Sequence, residues 1–491
     1  MRIQKAVFVM KGKFVMIKKL YLDTKEKIYR ATSIMFIVQL FGALGAGFFF
    51  VIQNIFSSYH MLGATGAANE PTLWFILFWA TDFFFVALVM ILSYLIAGLP
   101  ALAPSLALSV YFCHFTSASM SAEKMYSCFF ATPANYAQAT SIGYMGYLIM
   151  AVMLSLLIKL IYAGWTEAKN PIGRGIDNLL GKLRKKIKAI PDTIKGIEIA
   201  EGVDLIVLVL IIPVACCALT FILIKYGIEV PFAAISDALK GVLTAVSESN
   251  VIVAALLMGL MVGFDLIGPV SLAAFSVATT AYLTTGNAQL ITIYSVCFIT
   301  VAWTAFFGML CCKIFKKGGK TDTDDFNFAT TGPINAFFEN IKLTVAPSMP
   351  LAMRSPFTMI PGLMVGSAFG GVVTALFGIV NTAYTDGSLP KYTTGNFTYG
   401  AVDYTYAELF EQGEIFMSFT LPLRSGDFLT CRLPLFFIIL VSGFVGGLVV
   451  MALREAEYKV MSKRGCYFVP EGDIVLEMRA LGKKFAQQIK K

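Results

Sequence analysis

The chain has 491 residues, 57% of them hydrophobic and 14% charged, with a mean hydropathy of +0.74; soluble domains carry about 25% charged residues. The net charge of +9 is unevenly placed, with nine Lys/Arg in the first 30 residues. An ordinary soluble enzyme is excluded. Long continuous apolar runs argue against an alternating-strand β-barrel or pore-forming toxin. No basic stripe with interleaved aromatics argues for nucleic acid as a partner.

Residues 1–33 are a basic N-terminus whose charges are too evenly spread for a cleavable signal peptide. The apolar pattern from 34 to 453 divides into ten expected spans: 34–53, 72–97, 100–117, 141–162, 203–225, 242–263, 268–285, 289–312, 357–383 and 433–453. Lys and Arg are retained on the cytoplasmic side, and they cluster in 1–30, 169–195, 313–320 and the 454–491 tail. By contrast, 54–71 has no basic residue, 118–140 has Lys124, and 384–431 has Lys391 and Arg424. The expected protein is an all-α polytopic, multi-pass membrane protein with broken or re-entrant segments. Both termini are then cytoplasmic, with a cytoplasmic loop at 163–202 and an outer loop at 384–431. Membrane lipid is its surrounding partner.

Smaller features carry less. The segment from Lys316 to Asp325, KKGGKTDTDD, reads as a solvated turn leading into an amphipathic stretch at 326–343. Asn396-Phe-Thr matches a glycosylation acceptor, a pattern short enough to recur by chance. Cys113, Cys216, Cys217, Cys297, Cys311 and Cys312 lie in apolar runs without metal-ligand spacing and read as small apolar fillers. His60 and His114 read as structural, so no metal site, cofactor or catalytic residue is expected. Phosphate-loop, nucleophile-elbow and H-E-x-x-H patterns are missing. Whether the chain takes part in an enzyme complex stays open.

The polar residues inside apolar sequence point to function. Asp265 stands beside Gly268-Pro269 in a long apolar stretch. An acid at membrane depth is costly, and broken helices persist there where they line a cavity. Asp265 has two readings: it stabilises a freed helix end, or it touches a polar solute. Asp82 reads as facing the bundle or an outer end; Asp237 and Glu248 read as solvated. Prolines 347, 350, 356 and 361 argue for a second interrupted segment whose free backbone groups suit hydroxyls.

Three blocks in order carry a resemblance. Pro100-Ala-Leu-Ala-Pro104 is the first and Phe264-Asp-Leu-Ile-Gly-Pro-Val-Ser-Leu-Ala-Ala274 the second. The third runs from Thr344-Val-Ala-Pro-Ser-Met-Pro-Leu-Ala352 through Ser355-Pro356 and Ile360-Pro361 to Gly366-Ser-Ala-Phe-Gly-Gly371. Together they resemble the fructose-type membrane permease subunit (IIC) of the bacterial phosphoenolpyruvate:sugar phosphotransferase system, across roughly residues 85–383. The resemblance implies sugar or polyol transport, a homodimer, and phosphorylation by separate cytoplasmic phosphocarrier subunits. It places substrate-binding candidates at Asp265, Gly268, Pro269, Ser271, Ala346, Ser348, Pro350 and Arg424.

Departures from the family pattern are equally specific. Ala346 stands where a glutamate is expected, Ser271-Leu272 replace Asn-Lys, and Pro422-Leu-Arg-Ser-Gly426 lacks the usual histidine. Lost carboxylate and imidazole groups remove hydrogen-bonding partners for sugar hydroxyls. A phosphorylation-independent permease and a non-transporting sensor or scaffold on the same fold therefore stay as alternatives. The termini are too short for a phosphorylatable cysteine-bearing domain, and the basic 169–195 loop is the expected carrier docking face.

Overall fold

The computed structural model describes residues 18–37, 84–114, 142–167, 206–266, 268–285, 288–319, 323–337, 348–380, 396–399, 402–405 and 433–468, with short pieces of 178–182 and 477–487. These residues are overwhelmingly helical. Apolar sequence of this length can satisfy its backbone inside a bilayer only by hydrogen bonding within each segment. Helix α1 covers 18–37, followed by α2 (Phe84–Ala97), a 3₁₀ turn (Leu99–Ala101), α3 (Leu102–His114) and α4 (Gly143–Glu167). Then come α5 (Ile212–Ile224), α6 (Val230–Ser249), α7 (Val251–Phe264), α8 (Pro269–Thr285) and α9 (Gln289–Phe315). The series closes with α10 (Thr323–Phe337), α11 (Ser348–Arg354), α12 (Pro356–Phe377) and α13 (Leu433–Lys463). Strands β1 (Asn396–Tyr399) and β2 (Val402–Thr405) form an antiparallel hairpin with Phe397 opposite Tyr404, inside the expected outer loop.

Among the described residues, five helical runs are long and apolar enough to cross a membrane: Gly143–Trp165, Val207–Ser249, Gln289–Phe315, Pro356–Phe377 and Leu433–Lys463. The protein is an all-α, multi-pass membrane protein. Within 203–263 the backbone differs from the expected spans. Instead of ending near 225, it stays helical to Ser249 through two π-helical turns, Val207–Ile211 and Lys225–Glu229. Such a turn shifts the hydrogen-bond pattern, which accommodates Pro213 and Pro231 just beyond each one. Asn250 then starts a new helix, its Oδ1 accepting from the Ile252 and Val253 N–H groups. Asp237 and Glu248 are exposed on α6.

Two sets of helices emerge from the packing. Helices α2, α3, α4 and α5 pack on one another, while α7, α8 and α10 to α13 pack on α9, and α6 packs on α7 and α8. Helix α9 has an almost uniformly apolar surface and is buried nearly all round, the behaviour expected of a bundle centre. Its neighbours come close because they present glycines. A Cβ on Gly443 would lie 2.6 Å from Trp303 Cβ, and one on Gly447 2.7 Å from Phe307 Cβ. Without a hydrophobic drive between helices in lipid, such close backbone packing supplies much of the cohesion.

Candidate functional site

The site begins where α7 stops. Asp265 leaves helical geometry at φ −138° and ψ 74°, and its N–H still bonds to Met261 O. The chain turns through Gly268, whose N–H donates to Asp265 O at 3.1 Å, and Pro269 opens α8 where its missing N–H costs nothing. The Asp265 carboxylate is buried and its Oδ2 accepts from Val270 N at 3.2 Å. It therefore stabilises the N-terminus of α8, where both the free N–H groups and the helix dipole favour negative charge. Of the two sequence readings, this contact is the helix-end one.

Small residues make room for that carboxylate. A Cβ on Gly268 would lie 2.0 Å from Asp265 Oδ2, and one on Gly143 2.6 Å from Oδ1. Gly143 also has φ +62°, a left-handed conformation that glycine adopts without strain. It opens α4, bringing Tyr144 to the break, where its hydroxyl lies 3.5 Å from Phe264 O. Ser271 is buried, donates to Leu266 O at 3.1 Å, and meets the Tyr294 hydroxyl on α9. From α6, Ser236 donates to Pro269 O at 2.7 Å.

The second interruption lies at Ser355, between α11 and α12. Ser355 has φ −141° and ψ 65°, and Pro356 starts the new helix. Pro361, by contrast, is accommodated within α12. Every residue of α11 is buried, including Ser348 and Pro350. Ala346 and Arg424 lie outside the described residues, as do Asp82 and His60.

Glycine contacts bring the two interruptions together. A Cβ on Gly259 would lie 2.4 Å from Ala368 Cα, one on Gly263 2.4 Å from Met364 Cα, and one on Gly371 2.8 Å from Ala255 O. Helices α7 and α12 are thus antiparallel, with residue pairs summing to about 627. Continuing that register, Gly268 falls level with Met359, four residues and about 6 Å of helix rise from Ser355. Both interruptions therefore sit at the same end of the α7–α12 pair. α4 borders both: Gly143 faces Asp265, and α11 packs on α4. α9 does likewise, through Ser271–Tyr294 and its packing on α11.

A buried ionic network at the end of α11 has no counterpart in the sequence reading. Arg354 donates through Nη1 to Asp325 Oδ1 at 2.7 Å, through Nε to Thr32 Oγ1 at 2.8 Å, and through Nη2 to Tyr29 O at 3.0 Å and to Ser33 Oγ. Its guanidinium lies between the Tyr29 and Phe328 rings, 4.7 and 4.4 Å from their centroids. Arg454 of α13 reaches Asp325 Oδ2 at 3.4 Å, and Ser33 donates to Asp324 Oδ2 at 3.0 Å. The expected solvated turn is corrected at its end: Asp324 and Asp325 are buried, because two arginines and a serine take up their charge. The only foretaste in sequence is arginine at the edge of an apolar run.

The fold and site define a polytopic helical membrane protein whose core is built around two adjoining helix interruptions. Comparison with known proteins places this class more narrowly. The chain is 27% identical over 189 residues (38% of its length, 49% of the relative's) to the fructose-like permease IIC component 2 of Escherichia coli strain K12. It is 25% identical over 211 residues (41% of its length, 31% of the relative's) to the PTS system fructose-specific EIIB'BC component of Rhodobacter capsulatus. The chain thus spans about half the length of the first relative and a third of the second. Both similarities support the resemblance to fructose-type IIC permeases that the three sequence blocks carry. No protein-family profile matches it, and no solved structure does.

Proposed function

We propose that this chain is the membrane component of a fructose-like phosphotransferase system. It binds a sugar or polyol between the 265–269 break and the 348–356 segment and passes it across the inner membrane, where separate cytoplasmic subunits phosphorylate it. The observation that carries this reading is the α7–α12 register, which puts both interruptions at one end of a packed helix pair. Interrupted helices offer backbone groups that continuous ones have already used. Asp265, Gly268, Pro269, Ser271, Ser348 and Pro350 are the contacts assigned here, with Ala346 and Arg424 retained from the sequence. Both termini face the cytoplasm, the protein works as a homodimer in lipid, and phosphocarriers dock on the basic 169–195 loop. Deleting 182–188 should weaken co-purification with the carrier; undiminished binding would reject that docking face.

A second reading draws on the same break. The Asp265 carboxylate and the Ser271 hydroxyl each have a backbone partner already, which favours a scaffold that no longer moves solute or moves it without phosphorylation. Radiolabelled sugar uptake into proteoliposomes, with and without phosphoenolpyruvate and soluble phosphocarriers, separates the readings. Accumulation of sugar phosphate that needs both additions supports the first. Uptake indifferent to them supports an uncoupled permease, and none across hexoses and hexitols supports a sensor.

A further inference from the structure

A second group of ionisable side chains lies in apolar sequence away from the break. Lys225 and Glu229 occupy the π turn joining α5 to α6, within a 43-residue helical run. Charged residues in such a run, and π turns themselves, recur at functional sites. The Lys225 ammonium donates to the Tyr111 hydroxyl of α3 at 2.9 Å and lies 5.3 and 5.6 Å from the Tyr111 and Phe221 ring centroids. Its distance to Glu229 Oε2 is 3.8 Å, which is ion pairing but too long for a hydrogen bond. That oxygen is buried and receives no hydrogen bond from the described residues.

The chemistry of this cluster selects a particular group. A hydroxyl can donate to Glu229 Oε2 while accepting from the Lys225 ammonium, satisfying both across the gap. An anion would be repelled by the carboxylate and a cation by the ammonium, so a neutral polar group fits best. The Tyr111 and Phe221 rings, edge to face at 4.9 Å, add apolar surface for the C–H faces of such a molecule.

Helix geometry connects the cluster to the break. Glu229 and Ser236 are seven residues apart, on nearly the same helix face and about 10 Å apart along the axis. Ser236 donates to Pro269 O, and Phe232 between them stacks on Phe264 at 6.4 Å. We propose that Tyr111, Lys225 and Glu229 form a second binding site, for a neutral polyhydroxylated solute approaching or leaving the break. This inference rests on the permease reading above.

The test uses full-length protein in proteoliposomes supplied with phosphoenolpyruvate and the soluble phosphocarriers, with radiolabelled fructose and radiolabelled mannitol. Two variants are compared with wild type, Glu229→Gln and the double Lys225→Met/Glu229→Leu, the second removing both charges so that neither is left unpaired. Either variant should raise the half-saturating concentration about tenfold, as loss of a charged hydrogen-bond partner does, with the maximal rate changed less than about twofold. Elution from size exclusion establishes folding, and one folded variant decides. Unchanged half-saturation in a folded variant would overturn the site while leaving the permease reading intact. Wild-type protein that moves neither solute would overturn both.

Discussion

At the residue scale, the observed helix-end role of Asp265 and the solute contact proposed for it can be separated by substitution. Asn keeps an oxygen for the Val270 N–H but loses the charge, so Asp265→Asn should fold and insert normally while uptake falls. Asp265→Ala loses the cap as well, and its detergent melting curve should show a loss of about 1 kcal/mol. Equal uptake in wild type and Asp265→Asn would reduce the residue to its structural role. Gly268→Ala is expected to be harsher, since its Cβ would stand 2.0 Å from the carboxylate; about 1–3 kcal/mol of overpacking is typical, read as a lower melting temperature. Asp265 and Gly268-Pro269 were legible because an acid beside a glycine-proline break in apolar sequence is costly. Arg354 was not. Its partners Thr32 and Asp325 lie 322 and 29 residues away, and no local pattern encodes a contact of that separation.

Between elements, the α7–α12 contact and the ionic network do most to fix the site. The contact depends on hydrogen atoms where other residues carry Cβ groups. Gly263→Leu should therefore separate the helices and abolish both a sharp elution profile and uptake. The network ties α1, α10, α11 and α13 together through two arginines on one carboxylate. Asp325→Asn leaves those guanidiniums without their shared counter-charge, and about 3–5 kcal/mol of lost stability is expected. A melting temperature equal to wild type would show that solvent reaches the network. Sequence patterning found the apolar runs but ended a span at 225, where the structure carries the helix on through a π turn containing Gly227 and past Pro231. It also read Asp324 and Asp325 as solvated, since acids in a polar run look alike until an arginine from another helix meets them.

For the whole molecule, α2–α5 and α6–α13 form two packed sets, and α4 and the π turn at Lys225–Glu229 bridge them. The all-α membrane class followed from composition, and the order of three short blocks from Pro100 to Gly371 carried the family likeness. Side assignment by basic residues gives no packing, so the adjacency of the two interruptions is read from the helix register and not from the sequence. The most direct measurement is equilibrium binding of radiolabelled fructose and mannitol to purified wild type, Asp265→Asn, Ser348→Ala and the double variant. If one solute sits between both interruptions, each single change should raise Kd about tenfold, and the double should depart from additivity because the residues share a ligand. Binding by wild type that neither substitution weakens would contradict that account.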